Sequence, residues 1–350
     1  MGAVDAAIFE AMIAHAMNIL RFSAGVNKAI LELLTQLSQD LVKKLQESDL
    51  TEFNQQRTQK LLRESDAIIN NAYGIAQASI TEQLNGLGGV ESQFVKNLLN
   101  SVLQVSLDIS LPSAQYLKTL VSEVLIQGAP SKLWWERQAA NTTFNFSNVV
   151  RLGMAQGETI DQIVARVAGK GEQPGIMNVA RNNARALVHS SVMTVSNQAR
   201  LETFKQNPSV VKGNQWLATM DSHTCVLCAA RSGLEWDLDG APIDHDLPFQ
   251  APPIHWGDRC VLSPVLKTFA EMGLDIPEIK KSTRASSGGQ ISADTTFTDF
   301  LKSKSDQFQN EMLGTGKADL FRRGKISLSD LLDQRGNELN LAQLRAKYDN

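Results

Sequence analysis

Cysteine is scarce in this chain: only three of its 350 residues are cysteine. So small and odd a number makes a poor disulfide framework and is typical of a reducing compartment or a metal site. Lysine and arginine, 34 in total, do not outnumber the 37 acidic residues, so no overall basic excess favours nucleic acid. No stretch approaches the roughly 18 apolar residues of a transmembrane helix, and Asp5 and Glu10 interrupt the apolar N-terminus. We therefore expect a soluble protein made in a cytoplasm.

Proline is absent before Pro112, which favours helices over strand-rich structure in this part of the chain. Apolar residues at helical spacing agree with this, as at Ile30, Leu34, Leu37 and Leu41. The segment "GLGG" at 86–89 should end one helix and precede the next. Further helices are expected to about residue 168, followed by a break at "GKGEQPG" and a long helix over about 176–206.

Residues 208–265 differ in composition from everything before them. They contain all three cysteines and three of the five tryptophans, and five of the ten prolines lie between Pro242 and Pro264. We predict a loop-rich unit with short strands, and such a unit usually needs a staple because its own core is small. After it, a polar linker over 276–294 and a helical tail over 295–350 complete a mainly α chain, whose long helical N-terminal region spans 1–168.

A metal site is the predicted staple. Cys225 and Cys228 form a Cys-x-x-Cys, the spacing at which two thiolates from one tight turn can bind one metal ion. His255 and Cys260 in "PPIHWGDRC" complete a Cys3His set, which is typical of a structural zinc ion. Asp258 and His223 are reserve ligands because both lie close in sequence to the proposed set. The alternative is three reduced thiols in a small apolar core.

Two enzymatic alternatives follow from the same region. "CVLC" followed by "IDHDLP" looks like the first half of an HNH-type nuclease, with His245 as general base. The second Cys-x-x-Cys and the later asparagine of that motif are missing, so an exposed loop histidine is the simpler interpretation. A cysteine nucleophile, Cys225 beside His223, ranks lower because adjacency in sequence does not orient an imidazole onto a thiolate. We predict no catalytic residues.

The order and spacing of three stretches are similar to those of the phage Mu F-like minor head proteins, also called phage head morphogenesis proteins. The stretches are "ARALVHSSVMTVSNQARLETFKQ", "WLATMDSHTCVLCAARSGLEW" and "LPFQAPPIHWGDRCVLSPV". The family often has a cysteine where this chain has Asp258. If the family's metal used that cysteine, the site here would be two cysteines and a histidine completed by Asp258 or Cys260, or it would be empty.

The resemblance implies a virion protein inside a phage head, associated with the portal and other head proteins, and in some members ejected with the DNA. It places the family domain at 176–275. The N-terminal helical region would then serve portal binding or self-association. Arg181, Arg185 and Arg200 on the long helix could contact packaged DNA, although a solvated helix face is at least as good an interpretation. We expect no membrane contact.

Overall fold

The computed structural model describes residues 3–48, 55–103, 107–221, 223–273, 283–286, 289–292 and 296–348. The predicted fold class is confirmed: the protein is mainly α, with a small antiparallel sheet in the cysteine-containing region. Within the described residues, no helix combines the length and apolar character needed to cross a bilayer. The helices are α1 (Ala3–Gln46), α2 (Gln55–Leu103), α3 (Ala114–Glu123), α4 (Ser131–Ala155), α5 (Ile160–Ala168), α6 (Ile176–Lys205), α7 (Val226–Arg231), α8 (Phe297–Lys302), α9 (Asp306–Leu313), α10 (Thr315–Arg322) and α11 (Leu341–Tyr348).

The strands are β1 (Leu125–Ile126), β2 (Ala129–Pro130), β3 (Val211–Leu217), β4 (Glu235–Asp237), β5 (Pro242–Ile243), β6 (Val261–Leu266), β7 (Thr283–Ser286) and β8 (Gly289–Ser292). The chain divides into two compact units. One consists of residues 20–87 and 115–195, and the other of residues 1–19, 88–114 and 196–350.

The expected helix break at 86–89 is wrong, because α2 continues through all three glycines without interruption. Leu84, Leu87 and Val95 are all buried, so the apolar stripe of the helix also continues through this stretch. Burial of that stripe outweighs the low helix propensity of glycine, which costs about 1 kcal/mol per residue relative to alanine.

Alanine substitution at two helix glycines, Gly86 and Gly153, is expected to change stability in opposite directions. A Cβ at Gly86 would meet nothing within 4 Å. Gly86→Ala should therefore raise the free energy of unfolding by about 0.5–1 kcal/mol, through lower chain entropy in the unfolded state. A Cβ at Gly153 in α4 would lie 2.5 Å from Cγ1 of the buried Ile163, so Gly153→Ala should destabilise instead, by about 1–3 kcal/mol. Urea unfolding, followed by circular dichroism, measures the free energy of unfolding of both variants. Changes of the same sign in the two variants would contradict the packing argument.

The unit of residues 20–87 and 115–195 has a core with polar pairs. The Tyr73 hydroxyl lies 2.9 Å from that of Thr142, and the Tyr73 ring packs against Trp135. The break at "GKGEQPG" is confirmed: α5 ends at Ala168, and α6 begins at Ile176. Gly175 is required there because a Cβ would lie 2.3 Å from the backbone nitrogen of Gly169.

The other unit contains the four-stranded antiparallel sheet, in the order β5-β4-β3-β6. Strand β6 is an edge of the sheet, and Asn197 of α6 binds its backbone. The Asn197 amide donates to the carbonyl oxygen of Cys260 at 3.2 Å and accepts from the nitrogen of Leu262 at 3.0 Å. Asn197 is fully buried and serves to hold the edge strand against α6.

Within the predicted linker, β7 and β8 form a two-stranded antiparallel sheet, and the rest of 276–294 lies outside the described residues. The tail beyond it forms the short helices α8 to α11. Helix α8 begins with a capping box between Thr296 and Asp299 and buries Phe297, Phe300 and Leu301. The boundaries drawn from sequence at 168, 176, 275 and 294 stay predictions.

Candidate metal centre

Five potential metal donors come together beside the sheet, and they are called the donor cluster below: Cys225, Cys228, His255, Asp258 and Cys260. The Nε2 atom of His255 lies 3.1 Å from Sγ of Cys225 and 3.4 Å from Sγ of Cys228. On the other side of Cys228, its Sγ lies 3.6 Å from Oδ1 of Asp258. The donors form two groups of three, each mutually within 4.8 Å, and both groups include Cys228.

The first half of the donor cluster is built by the start of α7. Cys225 is the N-cap residue, and its sulfur accepts a hydrogen bond from the backbone nitrogen of Cys228 at 3.4 Å. A cysteine in this position takes the place of the usual Ser or Asp cap. The cap brings the two sulfurs of the Cys-x-x-Cys to one side of the turn, as a shared metal ion requires.

The second half is a loop between β5 and β6. Nδ1 of His255 lies 2.9 Å from the carbonyl oxygen of Trp256. A carbonyl can only accept, so Nδ1 carries a proton, and Nε2 faces the sulfurs, where loss of its own proton would free its lone pair for a metal ion. Asp258 is almost fully buried and accepts from the backbone nitrogens of Cys260 at 2.8 Å and Ile254 at 2.9 Å. It therefore shapes the loop that presents His255 and Cys260, in addition to being a donor.

The charges of the donor cluster are strongly coupled. Hydrogen bonds from Cys228, and then from His255, lower the pKa of Cys225 to about 5 despite its burial. The bond to Cys225 raises the pKa of His255 to about 9. Burial raises the pKa of Cys260 to about 12, and the bonds to Cys225 and Cys260 raise the pKa of Cys228 above its usual range. Crowding thus keeps two of the thiols protonated, and a divalent cation is the species that would allow all of them to ionise.

The donor chemistry fits a zinc ion. Zn–S and Zn–N bonds of about 2.3 and 2.0 Å place the ligands of a tetrahedral site roughly 3.5 Å from one another. The separations at His255 and Cys228, between 3.1 and 3.6 Å, are close to that value. Cys225, Cys228 and His255 would supply three ligands, and either Asp258 or Cys260 could supply the fourth.

The family assignment follows from a sequence comparison over this part of the chain. Residues 145–263 match the family model described as phage Mu protein F like protein. This region is phage Mu F-like. The match includes α6, strands β3 to β5, the first half of β6 and the whole donor cluster, and it begins earlier than the boundary at 176 that the sequence motifs indicated. No curated protein and no solved structure matches the chain.

The candidate histidines His223 and His245 lie outside the donor cluster. His223, the reserve ligand, is exposed and belongs to neither group of donors. His245 bonds the backbone through both ring nitrogens: Nε2 lies 2.9 Å from the carbonyl oxygen of Glu235, and Nδ1 accepts from the nitrogen of Leu247 at 3.1 Å. Its ring also packs edge-on against Trp236. An imidazole held in this way has no free nitrogen for general-base chemistry, so the geometry gives the nuclease alternative no support.

The three arginines predicted to contact DNA divide into two kinds. Arg185 is exposed, and Arg181 is partly exposed. Arg200 is fully buried, and its Nε donates to Glu91, so its prediction as a DNA contact is wrong. A buried carboxylate needs a cation close to it, and Arg200 supplies this cation for Glu91.

Sequence reasoning missed the ion pair that joins the two halves of the metal motif. Both Nη atoms of Arg259 lie 2.8 Å from the carboxylate oxygens of Asp221. Burial opposes ionisation of Asp221, but the bonds from Arg259 outweigh it and lower its pKa below the usual range. The sequence does show a charged residue near each cysteine segment, Asp221 and Arg259. Nothing in the sequence shows that these two residues pair with each other.

The fourth ligand can be identified by substitution. We expect Cys260→Ser to change the visible absorption of the Co²⁺-loaded protein if Cys260 is a ligand, because a Co²⁺–thiolate bond is lost. Asp258→Asn keeps the size of the side chain but only one of its two acceptor oxygens, so it should weaken the loop and, in that case, leave the Co²⁺–thiolate absorption nearly unchanged. The reverse pattern would make Asp258 the ligand, and two unchanged spectra would exclude both residues.

Proposed function

We propose that this chain is a minor head protein of a tailed phage, acting in head morphogenesis at the portal. The observation that carries the proposal is the family match over 145–263, because membership of the phage Mu F-like family implies a protein of phage head morphogenesis. The match includes the elements that hold the donor cluster, so it concerns the same part of the chain as the site. Membership also supports location in the virion and association with other head proteins.

The donor cluster, in this proposal, holds a structural zinc ion. Cys225, Cys228 and His255, with Asp258 or Cys260, would bind it and join α7 to the loop before β6. A bound zinc ion supplies ligand bonds that stabilise a fold whose own apolar core is small. Strands β4 and β5 are two or three residues long, so they contribute few ladder hydrogen bonds of their own.

The proposed role is structural, with no catalytic activity. The use of both His245 nitrogens by the backbone supports this, since it removes the candidate base. The expected result is no DNA cleavage by the purified protein with Mg²⁺ or Mn²⁺. Metal-dependent cleavage that disappears in His245→Ala would replace the structural proposal with the nuclease.

The proposed partners are the portal protein and other head proteins, with self-association through the N-terminal helices. Exposed apolar side chains on α2 and α4 are suited to such contacts, and Phe144 is 65% exposed. Arg185 and Arg181 remain as the proposed contacts to packaged DNA, where they would neutralise phosphates without reading sequence.

Quantitative mass spectrometry of purified heads, before and after triggered DNA release, tests the proposal. Presence in full heads is expected. Loss on release would make this an internal protein that leaves with the DNA, whereas retention would make it a fixed component of the head. Absence from both preparations would contradict the proposed function.

A further inference from the structure

Arg231 links the donor cluster to the C-terminal tail. It is the last residue of α7, the short helix whose first turn carries Cys228, and only 3% of it is exposed. Its Nη1 donates to the carbonyl oxygen of Leu227 at 3.1 Å, and its Nη2 to that of Gly336 at 3.3 Å. The guanidinium also lies over the ring of Trp216, 6.0 Å from its centroid. Helix α7 thus holds this side chain in position, and the guanidinium group binds the backbone of the tail.

The turn that receives Arg231 is itself well ordered. Oδ1 of Asp333 accepts from the backbone nitrogens of Arg335 and Asn337, both at 2.8 Å, and the Gly336 nitrogen donates to the Asp333 carbonyl. Gly336 has a φ of 79°, and a Cβ on it would lie 2.3 Å from Nη2 of Arg231. The backbone conformation therefore favours glycine, and a Cβ at this position would displace the guanidinium group of Arg231.

The turn belongs to a segment that is held as one piece, residues 325–348. Its buried apolar side chains are Ile326, Leu328, Leu331, Leu332 and Leu344. The hydroxyl of Tyr348 donates to Oδ1 of Asp330 at 2.9 Å, which ties the end of α11 back to the start of the segment. Movement of the turn away from Arg231 would therefore expose apolar surface on the whole segment.

Electrostatics gives Arg231 a second dependence on the donor cluster. Both of its hydrogen bonds are to neutral carbonyl groups, and a buried cation needs negative charge nearby. Burial lowers the pKa of Arg231, and the charges of Cys228, Cys225, Asp258 and Cys260 oppose that effect. A zinc ion with two thiolates, one imidazole and either a third thiolate or a carboxylate carries net negative charge, so the loaded site would be the counter-ion of Arg231.

We propose that a metal ion at the donor cluster holds the segment 325–348 in place through the contact of Arg231 with Gly336, so that loss of the metal releases this segment. The inference rests on the proposed zinc site. The metal would fix the start of α7, α7 places Arg231, and Arg231 binds the turn. Coupling of this kind is reciprocal, so release of the segment must weaken metal binding by the same factor.

Hydrogen–deuterium exchange on the full chain tests the first half of the proposal. With Zn²⁺ bound, amides of 325–348 should be protected, and chelation should increase their exchange. The helices α8 and α9, in the same tail but without a contact to Arg231 among the hydrogen bonds described, serve as the internal reference. Zinc binding with equal protection of 325–348 in both states would overturn this inference and leave the zinc site intact. A wild-type protein that binds no Zn²⁺ would overturn both.

A pair of glycine substitutions tests the reciprocal half without touching a metal ligand. Gly336 and Gly324 both have positive φ, but a Cβ at Gly324 would meet nothing within 4 Å. Both alanine variants therefore have similar backbone strain, and only Gly336→Ala also displaces Arg231. We expect Gly336→Ala to weaken Zn²⁺ binding, measured by competition with a chromophoric chelator, by roughly 5- to 150-fold relative to Gly324→Ala. Equal affinities in the two variants would overturn the coupling.

Discussion

Removal of zinc from the donor cluster is expected to unfold residues 208–266, while the helices of residues 20–87 and 115–195 stay folded. Structural zinc sites contribute about 10–16 kcal/mol of apparent binding free energy near neutral pH in small peptides, more than a short sheet can replace. Cys228→Ser should have the same effect as chelation, because Cys228 belongs to both groups of donors.

Tryptophan fluorescence reports this unfolding directly. Trp216 and Trp236 are fully buried in the sheet, and the indole nitrogen of Trp236 donates to the carbonyl oxygen of Leu247. Chelation should shift their emission to longer wavelength, while helical circular dichroism falls only slightly. His223→Ala is the matched control, since His223 is exposed and lies two positions before Cys225 but outside the donor cluster. An unchanged spectrum after complete removal of metal would show that the three thiols form an ordinary apolar core.

The membership of the donor cluster was largely predictable from the sequence because most of its candidate ligands lie in two short segments. Cys-x-x-Cys and the later His255 and Cys260 are close in sequence, and their residue types are rare elsewhere in the chain. Asp258 was also anticipated, as a reserve ligand chosen for its nearness in sequence. What sequence could not supply is the geometry: the 3.6 Å approach of Asp258 to Cys228 depends on a loop whose backbone the carboxylate itself organises.

The helices and the break at "GKGEQPG" were predictable from proline absence, apolar spacing and glycine content, whereas the continuity of α2 through 86–89 and the partners of buried polar residues were not. At Gly86 and Gly89 the local preference for a break is outweighed by burial of a stripe that only the folded chain shows. The prediction that Arg200 contacts DNA was wrong for the same reason. Its position on the helix suggested solvent, but the residue that decides its environment, Glu91, is 109 positions away in sequence. The periodicity of apolar residues identifies the faces of a helix, but tertiary contacts determine which residues pack against each face.

The ion pair of Glu91 and Arg200 gives the second large expected effect. Both side chains are fully buried, on α2 and α6, and Oε1 of Glu91 also lies 2.7 Å from Nε2 of His15 on α1. The His15 ring stacks on Phe94 at 3.6 Å. Glu91→Ala should cost about 3–5 kcal/mol of unfolding free energy, because it leaves the Arg200 cation buried without its carboxylate.

A double substitution separates lost attraction from the penalty of an unpaired charge. Glu91→Leu with Arg200→Met replaces the pair by apolar side chains of similar length, so it should be much less destabilising than Glu91→Ala alone. Asp319→Ala, which breaks an exposed ion pair with Arg323 one helical turn away, is the control and should have little effect. If the double variant is as unstable as the single one, packing or His15 accounts for the loss, and the ion pair does not.

The pH dependence of stability checks the same pair independently. Burial opposes ionisation of Glu91, but the attraction of Arg200 and the bond from His15 outweigh it, and its pKa lies below the usual value for glutamate. A lowered folded-state pKa means that this carboxylate contributes stability above its unfolded pKa of about 4.3, and that the contribution disappears as the pH falls through the lower folded value. Wild-type protein should therefore lose more stability than the double variant when the pH is lowered through this window. Parallel losses in the two proteins would mean that other carboxylates dominate acid unfolding.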